Sequence, residues 1–261
     1  MRGIRALTIV FGQLQSIELP SLRRPAAKPG EPTTEEFVQW GISLYVYSLI
    51  AHLQKILAGL VLLAGTENVA ASAPICRHVF EWAALNCYLK GRLIAHFKQH
   101  DWEEAWQLLS KVAIGSIWIR KHGGEVIGDP PVKIPMEWPN SVYIPDAVKE
   151  YERYQSQNSM KAEARDHYSL LCDHGHATAA CLLRYHQWEE NGAVVRFVDP
   201  DLDPQQDSLL PFVNCCLIDL LTFAYELLGS ANETLVRSKI LLVLTELRRL
   251  APAHLTGSVP A

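Results

Sequence analysis

Tyr168-Ser-Leu-Leu-Cys-Asp-His-Gly-His176 is the stretch on which the reading of this chain turns, taken together with Arg77-His-Val-Phe-Glu81. Both lie in apolar sequence whose hydrophobic residues recur at steps of three and four, the period of a helix face. Both put titratable side chains where such a helix would carry core residues. A charge is rarely buried alone, because an unpaired ion in an apolar interior costs several kcal/mol. The two segments are therefore expected to face each other, each satisfying the other's polar groups, inside a helical bundle.

Upstream, Thr33-Thr-Glu-Glu36 has the form of a helix start. A threonine cap followed by acids meets the free N–H groups and the positive end of the helix dipole. This helix is expected to run to about Ala64 and close at Gly65. A second spans about Asn68 to His100, with Pro74 tolerated in its first turns. Asp101 can cap a third, reaching about Lys121 before Gly123-Gly124. Residues 123–145, with Pro130, Pro131, Pro135 and Pro139, form a long loop in this reading.

A fourth helical region begins at Pro145-Asp146, breaks around Asn158-Ser159 and resumes to about Glu190, where Asn191-Gly192 ends it. Two more follow, about Asp207 to Leu228 and Asn232 to Leu250. Leu7 to Val10 and Ala193 to Val198 are expected as short strands, the second in a hairpin or paired with the N-terminal segment. The fold class is all-α, an antiparallel bundle of five or six long helices with minor short strands. Residues 1–32 are expected as a poorly packed N-terminal arm, 33–250 as the bundle and 251–261 as a frayed tail.

The chain has 261 residues, 49% of them hydrophobic, so it can bury a large core. Its net charge is −4, which argues against bulk attraction to nucleic acid and leaves room for a local basic patch. The longest apolar segments, Leu44 to Ala64 and Phe212 to Leu228, are interrupted by His52, Gln54, Lys55, Asp219 and Glu226. No membrane span and no secretory cleavage signature are read here, so the expectation is a cytoplasmic protein without a membrane partner. The six cysteines form no Cys-x-x-Cys pair and are expected as reduced core residues. The apolar load of Leu217 to Leu228 and Ile240 to Leu250 suggests a homodimer.

The chemistry-bearing residues fall on two helix faces. Arg77 and Glu81 are one turn apart and can pair. Ser169, Asp173 and His176 share a face of the later helix, and a histidine held by a carboxylate can act as acid or base. A metal is not expected. His174 and His176 would point roughly 200° apart on a helix, and His96 and His100 lack the surrounding His-Glu-x-x-His pattern. The sequence carries no phosphate-binding glycine loop and no nucleophile elbow, so no cofactor is expected.

At these residues the chain resembles a prokaryotic branch of the HEPN-like helical superfamily. That branch has Arg-x-x-x-Glu on an early helix and Tyr-x-x-Leu-Cys-x-x-x-His on a later one. Here these are Arg77, Glu81, Tyr168, Leu171, Cys172 and His176, over about residues 40 to 190. Ala177 stands where proline usually follows the histidine, and Arg92-Leu-Ile-Ala-His96 has one residue fewer than the superfamily's compact ribonuclease motif.

The resemblance implies recognition of RNA or a nucleotide, extending to metal-independent RNA cleavage, in a defence or toxin–antitoxin setting. It implies catalytic roles for Arg77, His176 and Glu81, and binding roles for Tyr168 and Asp173. His176 would be acid or base at a ribose 2′-OH, and Arg77 would stabilise the developing phosphorane charge. The alternative expectation is a non-catalytic binding or scaffold protein whose polar cluster organises the core.

Overall fold

Helices account for the architecture. In order they are α1 (Arg2–Gln15), α2 (Glu35–Gly65), α3 (Val69–Gln99), α4 (Trp102–Ile114), α5 (Ile144–Gln157), α6 (Ala164–Gly175), α7 (Gln206–Ser230) and α8 (Leu235–Leu250). The computed structural model describes residues 2–25, 33–65, 69–114, 126–127, 132–133, 142–157, 164–175, 186–189, 194–197 and 206–250. Among these, two antiparallel strand pairs occur: β1 (Val126–Ile127) with β2 (Val132–Lys133), and β3 (His186–Glu189) with β4 (Val194–Phe197). The fold is all-α, and its described helices number eight rather than five or six.

α3 is the centre of the bundle. It packs against α2, α4, α5, α6 and α7, while α1 closes the far side against α2, α7 and α8. Its buried positions Cys76, Val79, Phe80, Ala83, Ala84 and Cys87 recur every three to four residues. The small ones, Ala83 and Ala84, let neighbouring helices come close. α7 is nearly as deep: Cys216, Leu217, Leu220, Leu221, Phe223 and Ala224 are fully buried. Each large apolar side chain so buried contributes roughly 1.5–3 kcal/mol.

Two sharp reversals connect helices by the same device. At the end of α3, His100 takes φ 56 and the Asp101 N–H donates to His96 O at 3.0 Å. Asp101 Oδ1 then accepts from the Glu104 N–H and starts α4, as its position in the sequence predicts. At the end of α7, Asn232 takes φ 54 and the Glu233 N–H donates to Leu228 O at 3.0 Å. The Glu233 carboxylate then accepts from the N–H groups of Leu235, Val236 and Arg237. A left-handed residue closes one helix and an acid directly after it caps the next. α2 opens as expected, with Thr34 Oγ1 accepting from the Phe37 N–H at 3.3 Å.

Three expectations are corrected. Leu7 to Val10 is not a strand but part of α1, whose Leu7, Val10 and Leu14 are buried at helical spacing. Nor is this N-terminal segment poorly packed. Gln54 of α2 donates to the end carbonyls of Leu14 and Ile17 at 2.7 and 3.1 Å, and Gln15 Nε2 donates back to Gln54 O at 2.7 Å. Carbonyls at and just past a helix end have room for a further donor, and here the Leu14 carbonyl takes both the Ile17 N–H and Gln54.

The third correction concerns the far end of the fourth helical region. Its two parts are α5 and α6, as a break near Asn158-Ser159 implies, with residues 158–163 outside the described residues. Its expected continuation to Glu190 is replaced at His186–Glu189 by β3, which pairs with β4 and not with the N-terminal segment. Asn191-Gly192 falls between these strands, and Asn-Gly between strand-forming residues signals a hairpin more strongly than a helix stop. Of the loop expected at 123–145, only β1, β2 and the start of α5 are described. The expected tail 251–261 and the continuation of α4 past Ile114 lie outside the described residues.

α2 and α7 are each long and apolar enough to cross a membrane by length and composition. In α7, 61% of the apolar window is buried against the rest of the chain, as in a core helix. The apolar load that suggested a second copy is used in this same core. Leu217, Leu220, Leu221, Leu227, Leu228, Ile240, Leu244 and Leu247 are all buried, leaving Leu235, Leu241 and Leu242 outside.

Candidate functional site

The two segments that opened the sequence reading meet. Arg77, on α3, lies with its guanidinium carbon 5.7 Å from the centre of the Tyr168 ring on α6. Arg77 Nε donates to Glu81 Oε1 at 2.8 Å, one turn along α3. The side chains of Arg77 and Glu81 keep 23% and 20% of their exposure, so the pair sits at the edge of the core, not within it.

Burial weakens the arginine's hold on its proton, but the bond and charge of Glu81 outweigh it and leave Arg77 above its ordinary value. Burial pushes the Tyr168 phenol up to about 12, reinforced by the neighbouring Cys172 thiol. At neutral pH the site therefore offers a charged guanidinium and a protonated phenol, a pair of donors.

Phe80, between Arg77 and Glu81 in sequence, points inward and is fully buried. It stacks with Tyr168 of α6 at 5.6 Å and with Phe212 of α7 at 5.7 Å, and meets Tyr151 of α5 edge-on at 5.7 Å. His167, beside Tyr168 on α6, stacks on Phe212 at 3.9 Å. One aromatic ring on α3 thus fixes α6 against α3 and α7, and so sets where Tyr168 stands relative to Arg77.

Asp173 belongs to α6, but its side chain lies outside the described residues, and His176 and Ala177 lie outside them altogether. Arg77, Glu81, Tyr168 and Cys172 come together. The near-miss ribonuclease pair is engaged elsewhere. Arg92 pairs with Glu150 of α5 at 2.5 Å, and His96 Nδ1 faces Asp101 Oδ2 at 3.6 Å.

On the other side of Phe80 is a cluster that sequence reasoning missed. Tyr151 Oη donates to Asp219 Oδ2 at 2.5 Å, joining α5 to α7. Tyr151 is fully buried and Asp219 is 7% exposed. Burial raises the Asp219 carboxyl from 3.8 to about 6, against the opposing pull of the Tyr151 bond and of the Arg248 and Lys90 charges. Lys90 is paired with Glu226 and lies 5.3 Å above the Phe223 ring. Burial pushes Cys76 and Cys87 to about 12, Cys215 to about 11 and Cys216 well above its usual range. These thiols stay protonated at neutral pH and are not nucleophiles. The signal was present in the sequence: Asp219 interrupts the apolar run Phe212 to Leu228, and a lone carboxylate on a core helix needs a donor from another element.

Compared with known proteins, the chain matches no family model, no curated protein and no solved structure.

Proposed function

We propose that this chain recognises RNA or a nucleotide at the α3–α6 face, in the cytoplasm and in a defence or toxin–antitoxin setting. One observation supports the reading most: the half-buried Arg77 guanidinium lies 5.7 Å from the half-buried Tyr168 ring. A charged guanidinium suits a phosphate or a carbonyl edge, and an aromatic ring beside it suits a base. α6 is described as far as Gly175, and His176 follows it in the sequence. In a cleaving version of the site, His176 moves a proton at the ribose 2′-OH and Arg77 stabilises the charge that develops on phosphorus oxygens. Asp173 and Glu81 then hold the histidine and the arginine.

The 2.8 Å bond from Arg77 to Glu81 favours a second reading. There the carboxylate neutralises the guanidinium, and the cluster only orders α3 against α6 in a non-catalytic binding or scaffold protein.

Fluorescence anisotropy with a labelled mixed-sequence single-stranded RNA, competed by mononucleotides, separates the two. Recognition predicts saturable binding that Arg77→Gln weakens by about tenfold, with His176→Ala removing any cleavage but not binding. A wild-type chain without affinity for either probe, together with lowered melting of both variants, would establish the scaffold reading.

A further inference from the structure

A second face of α2 meets α4 at one end and, among the described residues, opens into a cleft further along. Gly41, Leu44, Tyr45, Ser48, Leu49 and His52 lie 0, 3, 4, 7, 8 and 11 residues along α2, one face of a helix, and together line one side of a cleft of about 370 Å³. Trp106, Leu109 and Ser110 of α4 form the opposite wall, and Trp82 of α3 the back. Gly41 explains why the walls stand so close at one end. A Cβ there would meet Trp106 Cζ3 at 2.6 Å and Leu109 Cδ2 at 2.9 Å, so only glycine lets α4 lie against α2.

The chemistry of the lining selects the ligand. Among the described residues, no lysine, arginine, aspartate or glutamate borders the cleft. Four aromatic rings do, those of Tyr45, His52, Trp82 and Trp106. Tyr45 and Trp82 stand 6.2 Å apart and tilted, and His52 meets Trp82 edge-on at 6.3 Å. Burial, with the neighbouring His78 acting the same way, keeps His52 below its ordinary value and so uncharged at neutral pH. The polar groups at the wall are neutral: Ser48, Ser110 and His52. Tyr45 contributes its ring, while its hydroxyl is sealed beside the Asn86 side chain. Leu44, 43% exposed, stands on the rim.

The volume lies at the small end of the range for small-molecule sites, and the mixture of apolar walls with few neutral polar groups is typical of them. Charged ligands would be desolvated here without a counter-ion. We propose that the α2–α3–α4 cleft binds a small, flat, uncharged aromatic molecule with one hydrogen-bonding group, of the phenol or indole class. The ring would lie between the Trp82 and Trp106 walls, and its polar atom would face the hydroxyls and the neutral imidazole. This site is separate from the α3–α6 face and independent of any RNA binding there.

Calorimetric titration of the full chain with indole and phenol, against indole-carboxylate and benzylamine as charged counterparts, tests it. The expected result is saturable binding of the uncharged probes, at least about tenfold tighter than the charged ones. Ser48 is an exposed residue on the cleft wall, so Ser48→Trp should fill the mouth, leave melting unchanged and weaken indole by about tenfold or more. Fluorine NMR of fluorotryptophan-labelled wild-type chain gives a second readout that needs no occluding variant. The Trp82 and Trp106 resonances, assigned by single Trp→Phe substitutions, should shift with indole while the other tryptophans stay in place. No saturable binding at millimolar probe, equal binding of the charged counterparts, unchanged binding to a folded Ser48→Trp chain, or shifts at tryptophans outside the cleft would each overturn the proposal.

Discussion

The α3–α6 face and the α5–α7 interior both hold polar groups against the same buried ring, Phe80, and they treat charge in opposite ways. On the face, Arg77 and Glu81 keep about a fifth of their exposure and neutralise each other within one turn of helix. In the interior, Asp219 is 7% exposed, and its closest partner is a phenol, not a cation. The nearest positive charges, Lys90 and Arg248, act on it only at a distance. An ion pair at the edge of a core stays ionised because water and partner share the charge. A carboxylate sealed in the core drifts towards its neutral form, since desolvation exceeds what one hydrogen bond returns. The face therefore keeps its charges, and the interior carries a stored electrostatic cost.

Phe80 is the sharpest place to break this comparison, because both regions depend on it. Phe80→Ala should cost about 3–5 kcal/mol, as for a large buried aromatic side chain, measured by urea unfolding. A loss under about 1 kcal/mol would mean that the two clusters do not share a wall.

Next in size, Tyr151→Phe removes the donor to a carboxylate at the moment it most needs one. It should cost about 1.5–3 kcal/mol at neutral pH and less in acid, where Asp219 is protonated. An unchanged midpoint at neutral pH would place the Asp219 charge elsewhere.

Asp219→Asn should have the opposite sign. The folded-state value, about 6, lies above the starting value of 3.8. Below 3.8 both folded and unfolded chains hold the proton, so the carboxyl carries no ionisation penalty. As pH rises from 3.8 towards 6 the unfolded chain ionises first, and stability is lost through that window. The full penalty, about 3 kcal/mol at most, persists at neutral pH. Asparagine keeps an acceptor for Tyr151 but adds an N–H₂ to satisfy. The expected gain is about 1–2 kcal/mol at neutral pH, fading in acid. A variant less stable than the wild type at every pH would show that the carboxylate is held by its surroundings rather than tolerated.

The smallest expected effect is at the face. Glu81→Gln should cost only about 1 kcal/mol, because Arg77 remains partly solvated and over the Tyr168 ring. If the face is a recognition site, the same substitution frees Arg77 and should tighten RNA binding in the anisotropy measurement. Weaker binding at unchanged melting would show that Glu81 itself serves the ligand.

Much of this was legible from residues alone. The all-α class, the Thr34 and Asp101 caps and the end of α2 at Gly65 follow from local rules, and the need of polar groups for company led to the expectation that the Arg77 and Tyr168 segments face each other. Helix periodicity and capping act over a few residues, and a charge in an apolar run demands company. The same local reasoning went wrong where two elements compete for one stretch. Leu7 to Val10 is too short to declare its period, and Asn191-Gly192 suits a helix end as well as the sequence between two strands, β3 and β4.

What the sequence by itself determined is therefore which residues lie inside helices and which polar groups must find partners. Which partner each one found was decided only by the tertiary structure. Asp219 is 68 residues from Tyr151, and Gln54 is 40 from Leu14. Nothing in local periodicity selects such pairs. They are chosen when close packing around α3 brings whole helix faces together and leaves a single donor or acceptor within reach. The cleft between α2 and α4 has the same origin: Gly41 permits a close approach, and the open space beside it exists only once both helices are in place.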